Sequence, residues 1–189
     1  MGYTETRLEP SLTPTPPVMS TESPTLSQED VQKLQERAAV LMEERKQQIQ
    51  DFAEEQPDHP FALANQHMLE LSAQNSWNAA GVLSMTGALW WALNLSVDLA
   101  YPHVVIFNAT GGPDFDFALF TSSVAGYFYV DPSTLHGKYQ FTMEAVAGGV
   151  GEVSISLYDM NWGQVAYFLG AVAGLSVSNI SGTGTIEYK

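Results

Sequence analysis

Beyond Ala79 apolar and polar residues alternate with a period of two, and turns rich in glycine, proline or Asp/Asn interrupt the alternation at short intervals. Leu93, Leu95, Val97 and Leu99 interleave with Asn94, Ser96 and Asp98, and Phe115, Phe117 and Leu119 with Asp114 and Asp116. Tyr139, Phe141, Met143 and Ala145 oppose Lys138, Gln140, Thr142 and Glu144; Val153, Ile155 and Leu157 oppose Glu152, Ser154 and Ser156. Successive side chains of a strand point to opposite faces, so each run is a strand with one dry face. Turns fall at Tyr101-Pro102, Thr110-Gly111-Gly112-Pro113, Asp131-Pro132-Ser133, Gly148-Gly149, Asp159 to Gly163, and Gly182 with Gly184. The count is about eight to ten strands, with no room for the crossover helices that parallel pairing requires. Pairing is therefore antiparallel, and the sheet hides its edges by closing into a barrel or doubling into a sandwich. Alanine and glycine recur over 166–174, where a small barrel would bring backbones close together.

Two other zones precede this one. Residues 1–25 hold Pro10, Pro14, Pro16, Pro17 and Pro24 among Ser, Thr and Glu, too little apolar surface to offset ordering entropy, and are expected to form a disordered leader. Residues 26–78 read as helical. Ser27 is a good N-cap with Glu29 and Asp30 in the first turn, and Val31, Leu34, Ala38, Leu41, Met42, Ile49 and Phe52 form an apolar stripe to about Glu55. Pro57 and Pro60 end that helix, and Phe61, Leu63, Met68, Leu69 and Leu71 point to a second, shorter one ending near Asn75. A coiled-coil seam along 27–55 lasts only about two heptads before Arg45 and Gln48 take seam positions, which allows at most a weak homodimer. The third zone, 79–189, is the β domain.

Charge and composition exclude several classes of function. Twenty-one acidic against seven basic residues give a net charge of -14, which repels phosphate backbones and anionic headgroups, so no nucleic-acid partner is expected. The chain has no cysteine, hence no disulfide framework, thiolate metal site or thiol nucleophile. Residues 1–27 show no basic region followed by an apolar core, so the expected location is cytoplasmic, or outside the cell by a route without a signal peptide. The apolar neighbourhoods 81–93 and 165–177 fall short of the roughly 20 residues of a spanning helix. The sequons at Asn94, Asn108 and Asn179 read as chance matches in a Ser/Thr-rich chain.

No arrangement of residues spells out a reaction. His59, His67, His103 and His136 are scattered, with no ligand spacing, and no nucleophile elbow, P-loop or dinucleotide fingerprint occurs. The expected catalytic, cofactor and metal residues are none. Asp114 and Asp116 share a strand face, as acid/base pairs can, but outward acids on a strand more often keep edges from aggregating. Asp159 and Asn161 sit in a turn, where such side chains cap their own backbone. That leaves the aromatics. Trp90 and Trp91 are adjacent, and so are Tyr127, Phe128 and Tyr129; on a strand, half of each group points inward. The candidate interaction surface is therefore Trp90, Trp91, Tyr127 and Tyr129, an apolar patch for the chain's own helix, another protein or lipid.

Leu119-Phe120-Thr121-Ser122, Tyr139-x-Phe141, Ile155 to Asp159, Phe168-Leu169-Gly170, Gly174-x-Ser176 and Gly182-x-Gly184 together resemble the core of the virulence-associated (Vap) proteins of intracellular actinobacterial pathogens. The resemblance implies a compact eight-stranded antiparallel barrel with Greek-key-like connections, a variable N-terminal part and no catalytic motif from which residues could be transferred. It also implies an effector acting on host compartments through lipid or protein contacts. The fold expected is thus mainly β, a closed antiparallel barrel preceded by an α-helical segment. The function expected is non-enzymatic contact with an unidentified protein or membrane lipid. The alternative is a barrel that encloses a small apolar ligand, or runs a cofactor-free reaction in its mouth. A filled interior supports the first, and a cavity with convergent polar groups supports the second.

Overall fold

The computed structural model describes residues 27–70, 76–87, 90–99, 102–111, 120–146, 151–172 and 178–189. The leader 1–25, the pair Asp114 and Asp116 with the strand around them, the glycines at 148, 149 and 174, and the expected helix end near Asn75 lie outside the described residues.

Three helices come first: α1 (Gln28–Glu55), α2 (Pro60–Ala64) and α3 (Gln66–Glu70). Ser27 caps α1, its hydroxyl accepting from the Asp30 N–H at 3.2 Å, with Glu29 and Asp30 at the positive end of the dipole. Pro60 opens α2, where a missing N–H costs nothing. The single second helix expected from the sequence is two five-residue helices divided at Asn65. Asn65 is the C-cap of α2, its side-chain amide bonding both back to the Phe61 carbonyl and out to the Trp162 carbonyl.

Eight strands follow: β1 (Trp77–Gly87), β2 (Trp91–Asp98), β3 (Val104–Gly111), β4 (Phe120–Phe128), β5 (Gly137–Val146), β6 (Gly151–Tyr158), β7 (Gln164–Val172) and β8 (Ser178–Tyr188). They close into an antiparallel barrel in the order β1-β2-β3-β8-β5-β6-β7-β4. That ring is two Greek keys in sequence. β4 returns beside β1 after the meander β1-β2-β3, and β8 returns beside β5 after the meander β5-β6-β7. Closure leaves no strand edge to protect.

The inside of the barrel is occupied by the chain itself. Phe107, Phe128, Phe141 and Phe168 are fully buried, with Leu83, Leu93, Leu95, Val97, Val153, Ile155 and Leu157 around them in one cluster. Phe141 packs edge-on against Trp91 and Phe107, with centroids 5.9 and 5.5 Å apart, and Phe128 packs against Phe168 at 5.2 Å. Glycine permits the closest approach between β4 and β7, because a Cβ on Gly126 would lie 2.0 Å from the Tyr167 carbonyl.

A second cluster lies outside the barrel wall. The stripe Ala38, Met42 and Ile49 of α1 covers Tyr127, Tyr129 and Leu169, with Met68 of α3 at its edge. Ser122 to Phe128 are consequently buried on both faces, and no alternation survives in the burial of that stretch. The stripe that could have formed a dimer seam is spent on α1's own barrel, while Val40, on the other side, is 59% exposed. An Arg37–Glu152 ion pair at 2.9 Å ties the exposed side of the helix to β6.

Candidate functional site

The outward faces of β5, β6 and β7 carry polar residues in aligned rows. Thr142 stands opposite Ser156, which stands opposite Tyr167; Gln140 stands opposite Tyr158, which stands opposite Gln164; and Glu144 faces Ser154. Alongside this floor α1 presents Leu41, Glu44, Arg45 and Gln48, whose spacing places them on one helix face. Between the helix and the floor is a cleft of about 250 Å³, with Tyr129 among its lining residues.

A β-bulge brings Gln164 to this cleft. Phe168 and Ala166 point into the barrel, so strict alternation would turn Gln164 inward too. Instead the register slips between Leu157 and Tyr158: Leu157 pairs with Ala166 and Tyr158 with Gln164, and Val165 and Ala166 both face the core. The extra residue re-aims the next side chain, as bulges near functional sites do. Gln164 is then held from both sides. Its N–H donates to Asn65 Oδ1 at 3.0 Å, and its carbonyl lies 2.8 Å from His67 Nε2. Its Nε2 donates to Ser156 Oγ at 3.3 Å, but Oε1, in a residue only 4% exposed, has no partner among the described residues. A buried oxygen left unbonded is costly and calls for an explanation.

Beside Tyr158, which lines the cleft, stands Trp162, 48% exposed and outside the lining itself, its ring 5.6 Å from that of Tyr158. Its φ of 66° is left-handed, uncommon for a bulky residue. The turn is held in that shape by Asp159 Oδ1, which accepts from the N–H groups of Asn161 and Gly163 at 2.7 and 2.8 Å, as the sequence led us to expect of an Asx turn. Asn65 Nδ2 adds a bond to the Trp162 carbonyl at 3.0 Å.

Among the described residues Arg45, Glu44 and Glu144 make no ion pair. Arg45 lies over the Phe61 ring at 5.6 Å and donates weakly to Gln48 at 3.4 Å. The phenols are held neutral. Burial drives Tyr129 well above the usual tyrosine range, with Tyr167 and Tyr158 nearby, and burial pushes Tyr167 up to about 12 against an opposing bond to Ser154. Tyr127 is also raised by burial and by Glu36, and its hydroxyl donates to the Gln35 carbonyl at 3.1 Å.

These shifts fix a sign for alkaline behaviour. Below pH about 10 the phenols are protonated in both states and the stability is fully present. As pH rises from about 10 to about 12 the unfolded chain loses these protons first, so stability falls. Denaturant melts at pH about 9 and about 11 should therefore differ, with Tyr129→Phe flattening the decline. A Tyr129→Phe variant as alkali-sensitive as the wild type would refute the assignment.

The four aromatics singled out from the sequence do not form one surface. Trp91 is 8% exposed and points into the barrel. Trp90, 72% exposed, stands at the start of β2, at the barrel end opposite Trp162. Tyr127 and Tyr129 lie on the outer wall under α1, and only Tyr129 reaches the cleft. Gln164, Ser154, Ser156 and Thr142 were missed as site residues, because polar positions alternating with core residues read as a solvated face. Arg45 and Gln48 did leave a signal, as polar interruptions of the apolar stripe.

Among the described residues no group of three His, Asp or Glu could hold a metal ion. None of the described helices is long and apolar enough to cross a membrane. No family model matches the chain, and no curated protein matches it in sequence. Among solved structures it is similar to the virulence-associated protein VapB from Rhodococcus equi, at 16% identity over 60% of this chain and 95% of that one, with a TM-score of 0.39.

Proposed function

We propose that the protein is a non-enzymatic interaction module, an effector-type barrel that acts by contacting a protein or membrane component through its outer wall. The observation that carries this reading is the division of labour between inside and outside. The lumen is filled by phenylalanines and aliphatic residues, whereas Gln164 and three charges that make no ion pair among the described residues, Arg45, Glu44 and Glu144, gather in the cleft beside α1. A packed lumen supplies rigidity, and a rigid wall holds contact groups in place.

The test is what the purified full chain carries. Organic extraction followed by mass spectrometry should recover no apolar small molecule in stoichiometric amount. A stoichiometric apolar compound lodged in the lumen would overturn the contact reading and transfer the function there.

A further inference from the structure

We infer that the cleft between α1 and β5–β7 binds a neutral polyhydroxylated ring, one saccharide unit, with Gln164 as a specificity-determining contact; this rests on the reading of the cleft as the contact site. The lining supplies six hydroxyls, from Thr142, Ser154, Ser156, Tyr129, Tyr158 and Tyr167, which both donate and accept. It adds two carboxylates that only accept and one guanidinium that only donates. Some of these hydroxyls already bond within the lining, Ser156 to Gln164 and Thr142 to Tyr158, and a ligand that meets the remaining capacity carries both donors and acceptors.

Charged alternatives fit less well. An anion brings only acceptors to Glu44, Glu144 and Gln164 Oε1, on a chain whose net charge is -14. An ammonium brings only donors, beside Arg45, whose charge no carboxylate among the described residues offsets. A sugar hydroxyl serves whichever end of the Gln164 amide is turned to it. The cleft, about 250 Å³, is below the range of about 300–1,000 Å³ of drug-sized sites and suits a single ring. Among the lining residues Tyr158 offers an aromatic ring for the C–H side of such a sugar, because the face of an aromatic carries negative charge density.

The unbonded oxygen separates a binding role from a structural one. If Gln164 served stability, its loss would destabilise; if its Oε1 is kept for a ligand, removing it relieves an unmet bond. The experiment is saturation-transfer NMR on the full chain with a panel of methyl glycosides of glucose, galactose, mannose and N-acetylglucosamine, with inorganic phosphate and choline as controls. At least one glycoside should bind, about tenfold more weakly to Gln164→Leu, whose melting temperature is unchanged or raised. Thr142→Val, at the more open side of the floor, should weaken the same glycoside if the leucine variant does not fold.

No transfer to any glycoside, or binding indifferent to both substitutions, would overturn the proposal. Phosphate or choline binding that Gln164→Leu abolishes would overturn the saccharide assignment while leaving the cleft as the contact site. Where a glycoside binds, flotation with phosphatidylcholine vesicles bearing that sugar on a neutral glycolipid, against competition by a soluble glycoprotein bearing it, distinguishes a lipid-borne from a protein-borne source.

Discussion

Phe141→Ala is expected to lower the unfolding free energy by about 3–5 kcal/mol, against the roughly 5–15 kcal/mol that a typical domain possesses. Phe141 is fully buried, touches Trp91 and Phe107 edge-on, and lies 3.1 Å from where a Cβ on Gly182 would be. Its ring therefore closes the gap between the two Greek keys, since β5 belongs to one key and β2 and β3 to the other. A closed barrel cannot collapse far around the void, because each strand is bonded on both sides, so most of the cavity should persist. A persistent apolar cavity stays dry and takes up compounds such as benzene. Phe141→Ala should accordingly gain thermal stability on addition of benzene, and the wild type should not. A wild-type melting temperature raised by benzene would show that the lumen already has room, and with it the contact reading would fail. A loss under about 1 kcal/mol would show that Phe141 is not packed as described.

The legibility of this fold in the sequence depended on how many layers cover each strand. β2, β5 and β6 each have one dry face, and Leu93, Phe141 and Ile155 with their i+2 neighbours announce them. β4 does not alternate, because α1 covers its outer face as the lumen covers its inner one; Ser122 and Ser123 are buried there, Ser122 donating to the Ala171 carbonyl at 3.0 Å. Trp91 opens β2 facing the lumen while Trp90 precedes the strand and is exposed, and parity says nothing about what lies beyond a face. Tyr127 and Tyr129 were therefore visible as outward residues and their covering helix was visible as an amphipathic stripe, without any local sign that one fits the other. The site was less legible still. Its floor consists of residues that mimic a solvated face, and its key amide depends on a bulge at Val165 that no glycine marks. Such features arise from the pairing of segments distant in sequence, so a local period cannot carry them.

Asn65→Leu is expected to cost about 2–5 kcal/mol and to abolish binding in the cleft without opening the barrel. Asn65 has no exposed surface, and all three of its side-chain bonds are made: Nδ2 donates to the Phe61 and Trp162 carbonyls at 2.9 and 3.0 Å, and Oδ1 accepts from the Gln164 N–H at 3.0 Å. Leucine keeps the branching of the side chain but is bulkier, so it adds crowding at a fully buried position while removing the bonds, and it leaves the buried Gln164 N–H without its partner. Asn65→Asp should also be destabilising at neutral pH, because a carboxylate can still accept from Gln164 but sets a negative charge against two carbonyls. Trp162 is the second casualty, since a left-handed φ on a bulky residue persists only while its surroundings hold it. Amide exchange should accelerate in 60–70 and 159–164 and stay slow in β2, β3 and β8, which share no bond with Asn65. Uniform acceleration over the whole barrel would make Asn65 part of the global core. Retained binding with the turn loosened would show that neither Trp162 nor the held position of Gln164 contributes to the cleft.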